Sequence, residues 1–371
     1  VGKWHMGTAD HQHPEAMGYA DWYGFLGGGL MYYPLDHPSY NGRYLKKNKP
    51  WGLRDMHHTL PMLHNGKQVE WNQYLTRELT DGGIRFIEKY REQPFFLFVS
   101  YNAPHEYLEA PAETIAKYPP ESMTEVPGVP ARNRSIYAAM VDEMDQGIGR
   151  LMSTLDNLEL ADKTVVWFLS DHGGLKRTSD NRPLRGAKGN AYEGGLRVPF
   201  VVRWPGKVKP GIVLDHPVTS LDIGATSLAL AGGKVTQAGL HGIDISGHMT
   251  GQSTDVPHDA LYWHVGNGPR DITGVLREGD YKMLVNRGRV QLFNLRDDPG
   301  ESNDLADVKP KVAARMLDQW KSWNESSQPA LWGAAKSRNW GAAKSRNAKN
   351  DYHYADYEWL RGTPHFKETN D

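Results

Sequence analysis

Apolar residues recur along the chain in two patterns, a helical spacing and short unbroken runs. Leu75, Leu79 and Ile87 are roughly helically spaced, which predicts a helix over residues 74–91. Apolar residues also repeat at three- and four-residue steps over residues 132–158. That repeat is typical of a helix with one buried face. We therefore predict two helices in the first half of the chain.

Three runs of strand length are apolar without alternation, at residues 95–101, 164–170 and 198–204. Such runs are typical of strands that are buried on both faces, as in a parallel sheet covered by helices. Strands and helices follow one another in this region, an order that indicates an α/β fold. We predict a mainly parallel sheet sandwiched by helices.

The pattern changes after about residue 250, where short strand-like segments are separated by turn residues. We predict a small antiparallel sheet closed by a helix at residues 308–323. The predicted strands are 260–265, 272–277, 281–286 and 290–295.

Three regions are expected from these patterns. The predicted organisation is a catalytic α/β domain over residues 1–250, a small C-terminal α+β subdomain over 251–330, and an extension over 331–371. The extension contains a direct duplication, because residues 332–339 recur unchanged at 340–347. Residues 1–70 are rich in glycine, proline and aromatic residues and are expected to be mostly loop.

Composition and charge exclude several classes of protein. The 371 residues carry 43 basic and 44 acidic side chains, a balance that argues against a nucleic-acid partner. No apolar run is long enough to predict a membrane span. The chain contains no cysteine, which excludes disulfides, cysteine zinc sites and a thiol nucleophile within it.

Two polar segments follow predicted strands and contain candidate ligands. Asp171 and His172 come directly after the run 164–170, and carboxylate and imidazole groups both bind metals. His105 follows the run 95–101 and offers an imidazole for proton transfer. The alternatives, a solvated turn and an ordinary polar histidine, stay open for these residues.

Two lysines lie in glycine-containing segments. Lys3 and His5 are two residues apart and share one face if their segment is extended. Lys188 precedes the run 198–204 in a segment where glycines allow the backbone to approach an anion closely. Exposed loops are the alternative for both segments. Together with Asp171 and His172, these cations indicate a pocket for a dense oxyanion such as sulfate or phosphate.

Four blocks of the sequence resemble the formylglycine-dependent sulfatases of the alkaline-phosphatase-like superfamily, among them arylsulfatases and N-acetylgalactosamine-6-sulfatase. The blocks keep the family's order over about 300 residues, and the tail beyond about residue 330 lies outside them. They are residues 2–7 (GKWHMG), 169–174 (LSDHGG), 188–199 (KGNAYEGGLRVP) and 292–306 (LFNLRDDPGESNDLA).

The resemblance implies a role for each candidate residue. Asp171 and His172 would bind a divalent cation, with Ca²⁺ expected, and Asp171 would also help to deprotonate the nucleophile. Lys188 and His105 would hold the sulfate, and His105 would protonate the leaving alcohol. Lys3 and His5 would support the formylglycine nucleophile. The implied activity is that of a sulfuric ester hydrolase acting on a sulfated small molecule or glycan in the periplasm or outside the cell.

The sequence departs from the family pattern in one important respect. The motif whose cysteine or serine becomes formylglycine is absent, and so is the family's N-terminal aspartate pair. The chain is therefore expected to be a sulfatase that lacks its first hundred or so residues and is inactive alone. Two other functions stay open: a phosphodiesterase or phosphonate hydrolase of the same superfamily, and a non-catalytic sulfatase homologue that binds sulfated glycans. Aromatic residues of the first 70, including Tyr32, Tyr33 and Trp51, could either stack on sugar rings or pack the loop.

Overall fold

The structure is a computed structural model that describes residues 1–34, 36–39, 61–266 and 273–327. Its strands are β1 (Gly2–Lys3), β2 (Tyr23–Phe25), β3 (Met62–His64), β4 (Lys67–Val69), β5 (Val166–Leu169), β6 (Phe200–Arg203), β7 (Leu261–Val265), β8 (Thr273–Glu278), β9 (Tyr281–Asn286) and β10 (Arg289–Asn294). Its helices are α1 (Leu75–Tyr90), α2 (Ala112–Ile115), α3 (Ala131–Asn157), α4 (Glu193–Leu196), α5 (Leu221–Leu230), α6 (Ser246–Met249) and α7 (Pro310–Ser326).

Helices α1 and α3 confirm the two helices that the apolar spacing predicts. The buried residues of α1 include Leu75 and Leu79, and those of α3 include Met140 and Leu151. The two helices pack against each other and enclose much of the N-terminal hydrophobic core. Burial of one helical face is what imposes the three- and four-residue spacing on the sequence.

The run 95–101 is extended but is not buried on both faces, so that prediction is wrong. Phe95, Leu97 and Val99 pack against the α1 and α3 side, whereas Phe96 and Phe98 are 59% and 48% exposed. Successive side chains of an extended segment point to opposite faces, and only one face is covered by the described residues. The segment runs parallel to β1 through a bridge between Gly2 and Ser100.

Strands β5 and β6 lie close to their predicted positions, but they pair antiparallel rather than parallel. They form a two-stranded sheet of their own among the described residues. Phe168 and Val201 are exposed on it, whereas Val166 packs against the α1 and α3 side. An unbroken apolar run therefore marked the strands correctly but did not specify their direction or the covering of their second face.

The N-terminal region contains more regular structure than predicted. Strands β1 to β4 form a sheet in chain order, parallel between β1 and β2 and antiparallel thereafter. Tyr32 and Tyr33 are buried against Tyr74. These two tyrosines pack the N-terminal loop, whereas Trp51 lies outside the described residues.

The C-terminal sheet confirms the prediction for this part of the chain. Its order is β10-β9-β8-β7, every pairing is antiparallel, and α7 covers one face. Its other face packs Leu284 and Phe293 against Ala191 and Tyr192 of the preceding region. The predicted boundary near residue 250 stays a prediction, and residues 331–371 with their duplication lie outside the described residues. Of the helices that the structure describes, none has the length and apolar character needed to cross a membrane.

Candidate active site

Lys3 and His105 lie at or just after the ends of two extended segments that run parallel to each other and end at the same edge. The Ser100 N–H donates to Val1 O at 2.8 Å, and the Lys3 N–H donates to Ser100 O at 2.8 Å. The chain then turns, and the His105 N–H donates to Asn102 O at 2.8 Å. Asn102 is buried and its Nδ2 donates to Leu30 O at 2.8 Å, which fixes the turn.

Lys3 is a partly buried cation beside two other candidate residues. Burial lowers the pKa of its ammonium group, and the positive charge of Lys188 lowers it further, whereas the Asp171 carboxylate raises it. These interactions place Lys3, Lys188 and Asp171 in one electrostatic neighbourhood. A partly desolvated ammonium is well suited to bind an anion, because the anion offsets both the burial and the repulsion.

His105 belongs to the same neighbourhood. Burial lowers the pKa of its imidazole, and the nearby charges of Lys3 and Lys188 lower it further, against a hydrogen bond with the Glu106 backbone that raises it. The His105 Nδ1 lies 2.6 Å from Glu106 O, and the Tyr32 hydroxyl donates to His105 O at 3.0 Å. The first contact orients the imidazole ring, and the second fixes the His105 backbone.

Lys188 projects from a loop that lies against the turn after β5. Its N–H donates to Gly174 O at 3.0 Å, and its side chain is exposed. The flanking Gly186 and Gly189 have φ values of 86° and 84°, which a side chain at either position would strain. The glycines of this segment thus shape the loop that carries the lysine.

Asp171 and His172 face each other directly after β5. The His172 Nε2 lies 3.1 Å from Asp171 Oδ2, and the His172 Nδ1 lies 2.9 Å from Gly173 O. If Nδ1 donates to that carbonyl, a neutral ring turns the Nε2 lone pair toward a carboxylate. A shared cation, or a second ring proton, satisfies two acceptors that face each other in this way.

The two donors fit part of a metal shell, but Ca²⁺ takes six to eight oxygen ligands. Among residues 1–34, 36–39, 61–266 and 273–327, no group of three or more histidine or acidic residues is arranged to hold a metal ion. Imidazole is also a softer ligand than a hard cation prefers. Asp171 and His172 therefore supply at most two ligands of a cation site.

His5 lies just beyond β1, where the extended conformation ends. Its φ is 55°, and the ring lies against Gly28, where an added Cβ would approach the His5 Nε2 to 2.6 Å. The condition for Lys3 and His5 to share a face, an extended segment, is thus not met at His5. Its role beside the nucleophile stays a prediction.

An ion pair between Arg177 and Glu106 lies at the edge of this site and was not predicted from the sequence. Arg177 pairs bidentately with Glu106, the residue after His105. This hydrogen bond lowers the pKa of the Glu106 carboxyl most, and the charges of His105 and Lys188 lower it further. The two residues lie 71 positions apart, so no local pattern indicates their contact. The position of Glu106 directly after the candidate His105 was the one sequence feature that could have indicated its place at this site.

A solved structure is similar over most of the chain. The complex of Ps i-CgsB with k-i-k-neocarrahexaose matches with 33% sequence identity and a TM-score of 0.77, covering 90% of this chain and 73% of that one. The similarity shows that the fold is the α/β, alkaline-phosphatase-like fold that the sequence predicted.

Two curated relatives are similar over shorter parts of their own length. The steryl-sulfatase of Mus musculus is 33% identical over 215 residues, which are 52% of this chain and 32% of that protein. The N-acetylgalactosamine-6-sulfatase of Mus musculus is 30% identical over 281 residues, which are 72% of this chain and 48% of that protein. The chain thus spans 32% and 48% of the length of these relatives.

Family comparisons cover nearly all of the described residues. The family model for the C-terminal region of N-sulphoglucosamine sulphohydrolase matches residues 187–325, which include the Lys188 loop and the C-terminal sheet. The sulfatase model matches residues 1–233, which contain Lys3, His105, Asp171 and Lys188. The chain belongs to the sulfatase family.

Proposed function

We propose that the protein to which this chain belongs is a sulfuric ester hydrolase of the arylsulfatase type. The observation that carries the proposal is that a parallel bridge at Ser100 brings the segments of Lys3 and His105 side by side, that the Lys188 N–H bonds the turn after Asp171 and His172, and that the charges of Lys3 and His105 both interact with Lys188. Family membership supports the same activity. The proposal is tested by assaying release of sulfate from an aryl sulfate by the protein in its formylglycine-bearing form.

The proposed chemistry assigns one task to each cation. Lys3 and Lys188 bind the sulfuryl oxygens and stabilise the charge that grows on them in the transition state. His105 donates a proton to the leaving oxygen as its bond to sulfur breaks. Formylglycine supplies the nucleophile in this family, and this chain contains neither a cysteine nor the serine-bearing motif from which it would form.

The proposed substrate is a sulfated carbohydrate, with aryl sulfates as artificial substrates. The similar Ps i-CgsB was solved with an oligosaccharide bound, which supports this class. A sulfated glycan would be met in the periplasm or outside the cell, the location that we propose for the protein. The phosphonate-hydrolase alternative has weaker support, since the similar phosphonate monoester hydrolase of Silicibacter pomeroyi is only 19% identical and shows the fold alone.

The pH dependence of the rate should report the protonation of His105. Burial and the two lysines hold the pKa of this imidazole below its ordinary value of 6.5. The protonated form that acts as the acid is therefore lost as the pH rises through this lowered pKa. We expect kcat/KM to fall on the alkaline side of an acidic optimum, and His105→Ala to remove that limb at a cost on the order of 10²–10⁴ in rate.

The leaving group provides the control for this assignment. A sugar alcohol needs protonation much more than 4-nitrophenolate, so the loss in His105→Ala should be larger with the sulfated sugar. His264→Ala is the matched control, because His264 lies on β7 and bonds Asn324 of α7. This variant should leave the pH profile unchanged. Equal losses with both leaving groups would remove His105 from the role of acid.

We further propose that Asp171 and His172 bind a divalent cation, Ca²⁺ in the first instance. When bound, the cation would add positive charge beside the sulfuryl oxygens. Asp171→Ala in the complete protein should abolish tight metal binding, as measured by elemental analysis after dialysis. Asp215→Ala changes an exposed aspartate in a loop outside the four sequence blocks and serves as the control. Unchanged metal content in Asp171→Ala would exclude Asp171 from the cation site.

A further inference from the structure

The interior between the candidate site and the C-terminal sheet contains a buried charge cluster, formed by Lys282, Glu193 and Glu301. The Lys282 Nζ donates to Glu193 Oε1 at 2.8 Å and lies 2.9 Å from Glu301 Oε1. The three side chains are 1%, 5% and 0% exposed, respectively. Only Arg277 adds a more distant charge among the described contacts, with its Nη1 3.9 Å from Glu193 Oε2.

Stability alone is a poor explanation for this cluster. Buried ion pairs lose the hydration of both charges, and well-packed apolar side chains of similar volume often stabilise a fold equally well. The Glu301 carboxyl shows this penalty, because burial raises its pKa in spite of the neighbouring Lys282. Geometric specificity is the other role that buried charges serve, and it depends on what they hold in place.

The cluster holds the N-terminal end of α4. The Glu193 N–H donates to Glu301 Oε2 at 2.6 Å, while the Glu193 side chain accepts from Lys282. Glu193 is thereby bound through its backbone by the 292–306 segment and through its side chain by β9. The two following residues of α4, Gly194 and Gly195, continue directly from this bound residue.

Gly194 and Gly195 touch both segments that carry candidate site residues. The Gly173 N–H, two residues after Asp171, donates to Gly195 O at 3.0 Å. The Gly194 N–H donates to Arg185 O at 2.6 Å, in the loop that carries Lys188. An added Cβ at Gly195 would approach Asn190 O to 2.2 Å, so the close approach of these backbones requires a glycine here.

A second set of contacts joins the same loop to the same two C-terminal segments. The Arg185 Nη1 donates to Glu301 O at 2.8 Å, and its guanidinium lies 4.0 Å from the Tyr192 ring centroid. The Tyr192 hydroxyl donates to Gln291 Oε1 at 3.0 Å. The loop 185–192 is thus attached at both ends to the region that supplies Lys282 and Glu301.

We propose that Lys282 and Glu301 are positioning residues for the candidate active site, which set the placement of Lys188 and Asp171 through Glu193 and the two glycines of α4. The expected effect on catalysis rests on the proposed function, whereas the expected effect on the placement of these segments does not. The C-terminal region then supports the loops of the active site from the side away from the substrate, although none of its residues needs to touch substrate. A shift on the order of 1 Å in a catalytic group can cost about 10²-fold in rate.

The first test uses Lys282→Met, which keeps the length of the side chain and removes its charge. We expect amide exchange in residues 173–195 to become on the order of tenfold faster or more, with smaller changes elsewhere. In the formylglycine-bearing protein, kcat should fall on the order of 10–10²-fold with a smaller change in KM. Exchange that rises evenly along the chain would show a merely structural role and overturn the proposal.

Two further variants keep the test decisive if Lys282→Met folds poorly. Lys282→Met/Glu301→Gln removes one of the unpaired carboxylates and should regain melting temperature, while exchange at residues 173–195 stays fast. Asp222→Asn is the matched control, since Asp222 is fully buried beside His258 and contacts neither candidate segment in its described bonds. Normal exchange at 173–195 in the double variant would also overturn the proposal.

The exchange measurement separates this inference from the proposed function. If the protein releases no sulfate, the proposed function fails, yet selective loosening of residues 173–195 still supports the coupling. If sulfate is released and Lys282→Met leaves both exchange and kcat unchanged, the positioning role fails alone.

Discussion

Replacement of Lys188 by alanine is expected to lower kcat/KM for sulfate-ester hydrolysis by a factor on the order of 10²–10³. The loss follows from removing a positive charge that interacts with Lys3 and His105 at the proposed sulfuryl site. The melting temperature should change little, because the Lys188 side chain is exposed. Steady-state kinetics and thermal unfolding of the complete protein measure the two quantities.

The leaving group and a second lysine sharpen this prediction. Lys188 is assigned to the sulfuryl oxygens, which both kinds of substrate share. The fall in kcat/KM in Lys188→Ala should therefore be similar for an aryl sulfate and a sulfated sugar, whereas the fall in His105→Ala should differ between them. Lys207→Ala changes an exposed lysine in the turn after β6 and should leave the rate unchanged. A near-normal rate in Lys188→Ala would assign Lys188 to an ordinary surface loop.

The 371-residue chain alone is expected to show no sulfatase turnover above background. It contains neither a cysteine nor the serine-bearing motif from which formylglycine could form, and a pocket of cations without a nucleophile stabilises charge but opens no covalent route. The exposed Phe96, Phe98 and Val201 should also make the isolated chain prone to aggregate. An aryl sulfate assay and light scattering on the purified chain test both statements.

The matched comparison is a version extended ahead of Val1 with a formylglycine-bearing segment. Activity in the extended version alone would support the assigned mechanism. Turnover by the 371-residue chain that persists in the Lys3→Ala/His5→Ala double variant would show that the mechanism is wrong.

Helices α1, α3 and α7 were predictable because each buries one face, and the C-terminal strands were predictable as short apolar segments separated by turn residues. A single buried face imposes a period on the sequence, as in the four-residue spacing of the buried Leu75 and Leu79 on α1. The pairing of β5 with β6 was not predictable in the same way. Their apolar runs carry no information on strand direction or on what covers each face.

The site residues were identifiable as candidates, but their proximity was not. The segments of Lys3 and His105 are joined by a parallel bridge between Gly2 and Ser100, nearly a hundred residues apart, and no local pattern encodes such a pairing. The resemblance to sulfatases implied one site for all of the candidates, and the structure relates Lys3, His105, Lys188 and Asp171 to one another. The structure then added the geometry of the parallel segments and of the glycines that contact Lys188's loop.

The buried charge cluster could not be predicted from local sequence. Lys282 lies 89 residues from Glu193, and a lysine at an inward strand position contradicts the simple alternation of polar and apolar residues. Such contradictions of a local rule often occur at functional sites. Glu301 lies within a recognised family block, yet the block itself does not reveal which residue it contacts.

The most direct measurement of the central claim is sulfate release from a sulfated oligosaccharide, quantified by ion chromatography for the complete, formylglycine-bearing protein. The same assay is applied to the Lys3→Ala/His105→Ala/Lys188→Ala triple variant. We predict catalytic release of sulfate by the unmodified sequence and a rate at least about 10³-fold lower in the triple variant. Equal release by both proteins would contradict the assignment of the active site, and the absence of release by the unmodified sequence from every sulfated carbohydrate and aryl sulfate tried would contradict the proposed function.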